Sequence, residues 1–194
     1  GDNATSADGP FDGHSVSISS DALGKITMHG EGGSNAQAAI DTTAAGDIWD
    51  NFDGATTGTT VSSSTSGADI LVYSLPTMVD GLAVSASYSP QQSAATSSTA
   101  WAATYTGVDG LSVSYGVGEA TNTAVTETEV EATTMKASYA YGSFTVAYSN
   151  NDYATEVANS DQETTSYKVS YTVSDALSVS YGTEEIALEN DNQD

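Results

Sequence analysis

Between Ser166 and Gly182 the chain alternates apolar and small polar residues in two runs. Tyr167, Val169, Tyr171, Val173, Leu177, Val179 and Tyr181 hold one parity, and Lys168, Ser170, Thr172, Ser178 and Ser180 hold the other. A period of two, broken by Ser174-Asp175, predicts a β-hairpin with one apolar and one wet face. The pattern recurs along the chain. Ser15–Ser19 and Lys25–His29 make a first hairpin, with Val16, Ile18, Ile26 and Met28 on one face. Asp69–Leu75 aligns Leu71, Tyr73 and Leu75, and Leu82–Ser89 aligns Leu82, Val84, Ala86 and Tyr88. Thr99–Thr106 aligns Trp101, Ala103 and Tyr105, and Leu111–Gly118 aligns Leu111, Val113, Tyr115 and Val117. Met135, Ala137, Tyr139 and Tyr141 then turn at Gly142-Ser143 into Phe144, Val146 and Tyr148.

Strands starting at Leu82, Leu111, Phe144 and Leu177 are 29, 33 and 33 residues apart, which is a repeating strand-turn-strand-loop unit. Its connections alternate. Short turns follow one strand of each pair, and polar linkers (Pro90–Ser98, Glu119 to Val130, Asn150–Thr164) follow the other. Short turns at one end and long loops at the other predict an all-β, up-and-down antiparallel sheet laid out as a transmembrane β-barrel. A β-sandwich mixes loop lengths at both ends.

Composition then decides between a dry core and a wet one. Leu, Ile, Val and Phe number 31 of 194 residues, a proportion at which a highly charged chain defaults to disorder. The periodicity overrules that default, and a wall with one apolar face around a water-filled interior needs few aliphatics. All three lysines, Lys25, Lys136 and Lys168, fall on the polar parity, while ten of eleven tyrosines fall on the apolar one, Tyr153 being assigned to a linker. Tyrosine hydroxyls crowded into a dry core would lack partners, whereas lipid headgroups satisfy them. A lysine at mid-bilayer would cost about 2–4 kcal/mol. Tyr73, Tyr88, Trp101, Tyr105, Tyr115, Tyr139, Tyr148, Tyr167, Tyr171 and Tyr181 are therefore expected to face lipid, and the lysines the lumen.

The net charge of −23 excludes nucleic acid as a partner and favours cations. Without Cys there is no disulfide, thiol catalysis or thiolate metal site. No apolar run of about 18 residues predicts a spanning helix. Gly-x-Ser-x-Gly, His-Glu-x-x-His, Walker and Rossmann patterns are all missing, so no enzyme is expected. Of the two histidines, His29 shares the lumen parity with Lys25 and reads as a wall residue rather than a ligand or base.

The turn and strand DALGKITMHG (residues 21–30), the following AAIDTTAAGDIWDNFDG, the strand ILVYSLP and the hairpins GLAVSASY and GSFTVAYS resemble outer-membrane porins, in particular the alphaproteobacterial general-porin type. The similarity runs over residues 14–183, and its distinctive part is 21–53. The resemblance implies a porin barrel in the bacterial outer membrane, with about ten of sixteen strands present. It also implies a homotrimer at full length, and a loop at 31–67 folded inward as a constriction with Asp41, Asp47, Asp50 and Asp53 on its acidic side. Carboxylates around a pore favour cations. Ile40, Ile48, Trp49 and Phe52 give the same loop apolar residues with which to dock. A compact surface Ω-loop is the other reading of this cluster. Ca²⁺ could be held at Asp47, Asp50 and Asp53, although no EF-hand or nonapeptide spacing is present. The basic residues expected across the eyelet number only three here.

The expected protein is thus one porin domain over residues 1–194, a part of a longer wall, with 184–194 as an extracellular loop or tail. It would pass small hydrophilic solutes and prefer cations. The competing class is a secreted or surface-exposed soluble β-protein, an adhesin-like binding module whose Tyr/Val face is a core. Detergent dependence separates the two.

Overall fold

The computed structural model describes residues 13–40, 42–46, 69–90, 96–122 and 128–189. Ten strands form one antiparallel sheet in strict sequence order, each pairing with the next. They are β1 (Ser15–Ser20), β2 (Gly24–His29), β3 (Ile70–Ser74), β4 (Leu82–Ser89), β5 (Thr96–Tyr105), β6 (Leu111–Asn122), β7 (Thr128–Tyr141), β8 (Phe144–Thr155), β9 (Gln162–Ser174) and β10 (Leu177–Leu188). Strand height climbs along the chain, from five or six residues in β1–β3 to fourteen in β7.

The short turns at the lower end hold the sheet together laterally. Leu82 N donates to Val79 O and Leu111 N to Val108 O, both at 3.0 Å, closing two Val-Asp-Gly-Leu turns. Gly81 and Gly110 sit at φ +79° and +74°, the left-handed region that glycine enters without strain. Their carbonyls then accept bonds from the neighbouring hairpins, Thr106 N to Gly81 O at 2.7 Å and Ala140 N to Gly110 O at 2.8 Å.

The upper ends differ from expectation. Strand pairing continues through Thr128–Thr134, Asn150–Thr155, Gln162–Thr165 and Glu184–Leu188, so the linkers are shorter than the alternation predicts. Residues 184–188 of the expected tail are strand, and Tyr153 is a strand residue opposite Gln162, on the polar parity. The reason lies on the outer face. Glu119, Glu131, Asp152, Glu163 and Glu185 each stand eight positions above a lower residue on the same face: Leu111, Tyr139, Phe144, Tyr171 and Leu177. Cross-strand partners tie this level together, with Glu119 opposite Glu131 and Asp152 opposite Glu163. Above the carboxylates the open parity carries no large apolar residue, and the alternation that marks a strand fades while the ladder bonds go on.

The two faces are inverted relative to a soluble sheet. Val16, Ile18, Tyr141 and Tyr181 are exposed by 70–76%, and the rest of the Tyr/Val/Leu parity is exposed or half-buried, none of it buried. Apart from Ile70, residues buried on the opposite parity are small or polar, among them Ser87, Ser114, Thr134, Ser149, Asn151, Thr164 and Ser166. Among the described residues the buried apolar side chains are six alanines and two isoleucines, Ile40 and Ile70. Among the described residues there is no apolar core of ordinary size for the tyrosine face to join.

Candidate functional site

What buries the polar parity is a strap, the described part of the segment after β2. It begins at Asn35, forms a single 3-10 turn at Gln37–Ala39 and runs to Gly46. Asn35 Oδ1 accepts from Ala38 N at 2.8 Å and Thr43 Oγ1 from Gly46 N at 3.2 Å, so short polar side chains satisfy backbone that no helix or sheet does.

The strap crosses the wall from β4 to β10 along consecutive rungs of the polar face. Ala36 N donates to Ser87 Oγ at 2.9 Å, and Gln37 Nε2 donates to Ala132 O at 2.9 Å and Thr134 Oγ1 at 3.1 Å. Ile40 passes over Gly116, where a Cβ would stand 2.9 Å from Ile40 Cδ1. Four residues in succession then dock on one rung. Lys136, Ser149, Ser166 and Glu184 are register partners across β7–β10. Lys136 Nζ donates to Thr42 O at 2.9 Å and Thr42 Oγ1 at 2.7 Å, Ala44 N to Ser149 Oγ and Ala45 N to Ser166 Oγ at 2.8 Å each, and Thr43 Oγ1 to Glu184 Oε2. Gly182 faces Ala45, whose Cβ would lie 3.1 Å from an added Cβ. Small residues on the wall admit the strap's backbone, and serines give it acceptors.

The expected lumen residues sort into those the strap uses and those it does not. Lys25, Lys136 and Lys168 all lie on the strap face by register, with His29 on the same parity as Lys25. Lys136 fastens Thr42. The serines of β8 and β9 are not uniformly water-lining: Ser149 and Ser166 are fully buried beneath the strap. That contact is set by residues more than a hundred positions apart, and no local signal carries it. Asp41, Asp47, Asp50 and Asp53, with Ile48, Trp49 and Phe52, lie outside the described residues. Among the described residues no group of three or more His, Asp or Glu is arranged to hold a metal ion.

All ten expected lipid-facing aromatics lie on the open face. Tyr148 stacks on Tyr167 directly across β8 and β9, ring centroids 5.1 Å apart, and Phe144 on Tyr171 at 4.7 Å. Trp101 meets Tyr115 at 5.5 Å. Such tilted contacts between neighbouring strands are the aromatic cross-strand pairs that stabilise a sheet. From Phe144 to Asp152 is about 26 Å along the strand, or about 20 Å of height at a barrel tilt near 40°. Within that span the apolar part of β8 is Phe144, Val146 and Tyr148, with Asn150 next on the same face before the carboxylate of Asp152.

Known proteins agree with this geometry. A family model described as Gram-negative porin matches residues 1–194. Among solved structures, the loop L8 deletion mutant of OmpT, an outer membrane protein of Vibrio cholerae, is 18% identical with a TM-score of 0.61, and the match covers 84% of this chain and 58% of that one. A porin refined at 1.8 Å resolution is 16% identical with a TM-score of 0.48, covering 87% of this chain and 74% of that one. A search of curated proteins finds no match. The chain thus spans less than two thirds of the length of the OmpT variant, and at this identity the likeness speaks for the fold. With the family model spanning its full length, the inverted sheet belongs to a non-enzymatic protein of the outer membrane, and the chain is a member of the Gram-negative porin family.

Proposed function

We propose that this chain is wall and constriction of a water-filled channel through which small hydrophilic solutes and ions diffuse, with a preference for cations. The observation that carries the reading is the strap: a polar segment fastened across the face opposite the open aromatic one, where it narrows whatever the sheet encloses. The strap leads into the segment holding Asp47, Asp50 and Asp53, with Asp41 within it, and these carboxylates are assigned to the acidic side of the eyelet. A net charge of −23 against three lysines supports a cation-attracting field. Lys25 and Lys168 oppose it weakly from the wall.

In this reading the ten strands are part of a sixteen-strand barrel of the alphaproteobacterial general-porin type, the finer assignment resting on DALGKITMHG and AAIDTTAAGDIWDNFDG. A homotrimer is supported by strand height. Strands of five or six residues in β1–β3 are too short for the roughly 9–11 residues that a tilted spanning strand needs, so this low side of the wall suits another copy better than lipid.

The test is the reversal potential of the full-length protein in a planar bilayer under a salt gradient. The expected sign is that of cation preference, reduced by neutralising Asp47, Asp50 and Asp53 to Asn. Anion preference, or a bilayer that stays non-conducting, overturns the assignment. A protein that stays monodisperse without detergent would speak for the soluble binding module instead.

A further inference from the structure

Between the strap's upper anchor on Ala132 and its lower anchors on Ser149 and Ser166 runs a rung that the strap covers with few bonds of its own. Thr134, Asn151 and Thr164 are register partners across β7, β8 and β9, exposed by 0%, 1% and 0%. Gln37, also fully buried, donates to Thr134 from above. Yet Gln37 Oε1, both amide atoms of Asn151 and Thr164 Oγ1 find no hydrogen-bond partner among the described residues. The rung is closed at both ends by apolar side chains. Gly116, the next register partner of Thr134, lies under Ile40, and Ile186 is the partner of Thr164 on β10.

Buried polar groups are rarely left unmatched, because each forfeits its bonds to water on burial. The set here offers acceptors at Gln37 and Asn151, a donor at Asn151 and a hydroxyl at Thr164 that is both. That mixture identifies the ligand. A metal cation would leave the Asn151 NH₂ unmatched, and an anion would leave the two carbonyl oxygens so. The adjacent charged side chains are engaged, Lys136 with Thr42 and Glu184 with Thr43. The argument holds for either orientation of the Asn151 amide, since both of its polar atoms stand alone.

We propose that Gln37, Asn151 and Thr164 form a site for ordered water enclosed between strap and wall, so that Gln37, bonded directly to β7, is also attached to β8 and β9 through bridging waters. Water supplies donors and acceptors together and joins groups that do not reach one another directly. The Gln37 amide is thereby held directly through its nitrogen and through water at its oxygen. This inference rests on the docked strap and is independent of the channel's ion preference.

A high-resolution crystal structure of the full-length protein tests it. The expected result is one or more waters within about 2.7–3.2 Å of the Asn151 amide and of Gln37 Oε1 or Thr164 Oγ1. In Asn151→Leu/Thr164→Val, both sites apolar and close in size, that density is expected to vanish while the Ala44–Ser149 and Ala45–Ser166 bonds persist. A direct Asn151–Gln37 or Asn151–Thr164 bond, an ion at the site, or no density there overturns the proposal. In solution the Asn151 side-chain amide protons should show direct dipolar transfer from water, and its absence counts equally against the site.

Discussion

The backbone amide of Ala45 donates to the hydroxyl of Ser166 at 2.8 Å across a separation of 121 residues, and its neighbour Ala44 does the same to Ser149. Neither serine differs in composition or parity from the water-facing serines expected around it. What distinguishes them is that a second piece of backbone needs their oxygens.

Replacing Ser149 or Ser166 by Ala leaves a strap N–H without its acceptor, at a cost of about 1–3 kcal/mol for a buried group. Each single variant should therefore unfold at a lower temperature in detergent than the parent, and the double variant lower still. Ser170→Ala, on the same parity of β9 but outside the strap's bonds, serves as the control and should unfold like the parent.

The strap's clearance is set by Gly116. An alanine there meets the flexible end of Ile40 at 2.9 Å and also Trp101 O at 3.2 Å and Ala102 Cβ at 3.3 Å, so small shifts of strap and wall should accommodate it, whereas valine should displace the strap from β6. In single-channel recordings Gly116→Val is expected to change the conductance level while the protein still folds and inserts. A level identical to the parent's would mean that the strap does not narrow the path.

Two turn glycines separate backbone strain from collision. Gly142, at φ +58°, has nothing within 4 Å of an added Cβ, whereas Gly110, at φ +74°, would place one 2.2 Å from Ala140 O. Gly142→Ala should cost about 1 kcal/mol through the left-handed conformation alone. Gly110→Ala must also disturb the bond from Ala140 to the turn, and chemical unfolding should rank it clearly below Gly142→Ala.

Adjacent positions of β6 test the inversion of faces. Val113 lies in the open apolar band and Ser112 on the strap face. Val113→Lys should destabilise the membrane-inserted protein by about 2–4 kcal/mol if it sits near the bilayer midplane. Ser112→Lys should be tolerated. Equal effects measured by reversible unfolding in lipid vesicles would contradict the assignment of the two faces.

How much of this was legible depends on height in the wall. Near the turns the open face is apolar, so Leu111–Val117 or Leu177–Tyr181 announce themselves by alternation. Around the carboxylate level, at Thr128–Thr134 or Gln162–Thr165, the open face carries Glu131, Thr133, Glu163 and Thr165 instead, and the sequence looks like linker although the ladder is intact. The same loss of contrast placed Tyr153 in a loop. The strap was legible only as an inward-folding segment by resemblance. Its anchoring was not legible, because Lys136, Ser149, Ser166 and Glu184 become one rung only when four strands take their register, and nothing local marks them.

The level of Glu119, Glu131, Asp152, Glu163 and Glu185 acts as a waterline. Five neighbouring strands carry a carboxylate on the open face, paired across β6–β7 and β8–β9 and offset by two residues between β7 and β8 and between β9 and β10, with no lysine beside them. If that face meets lipid, sinking the wall toward its turn end would draw these anions toward hydrocarbon, and raising it would strip lipid from the lower tyrosines. If the open face meets lipid, the collar favours bilayers whose hydrocarbon thickness matches the band below it.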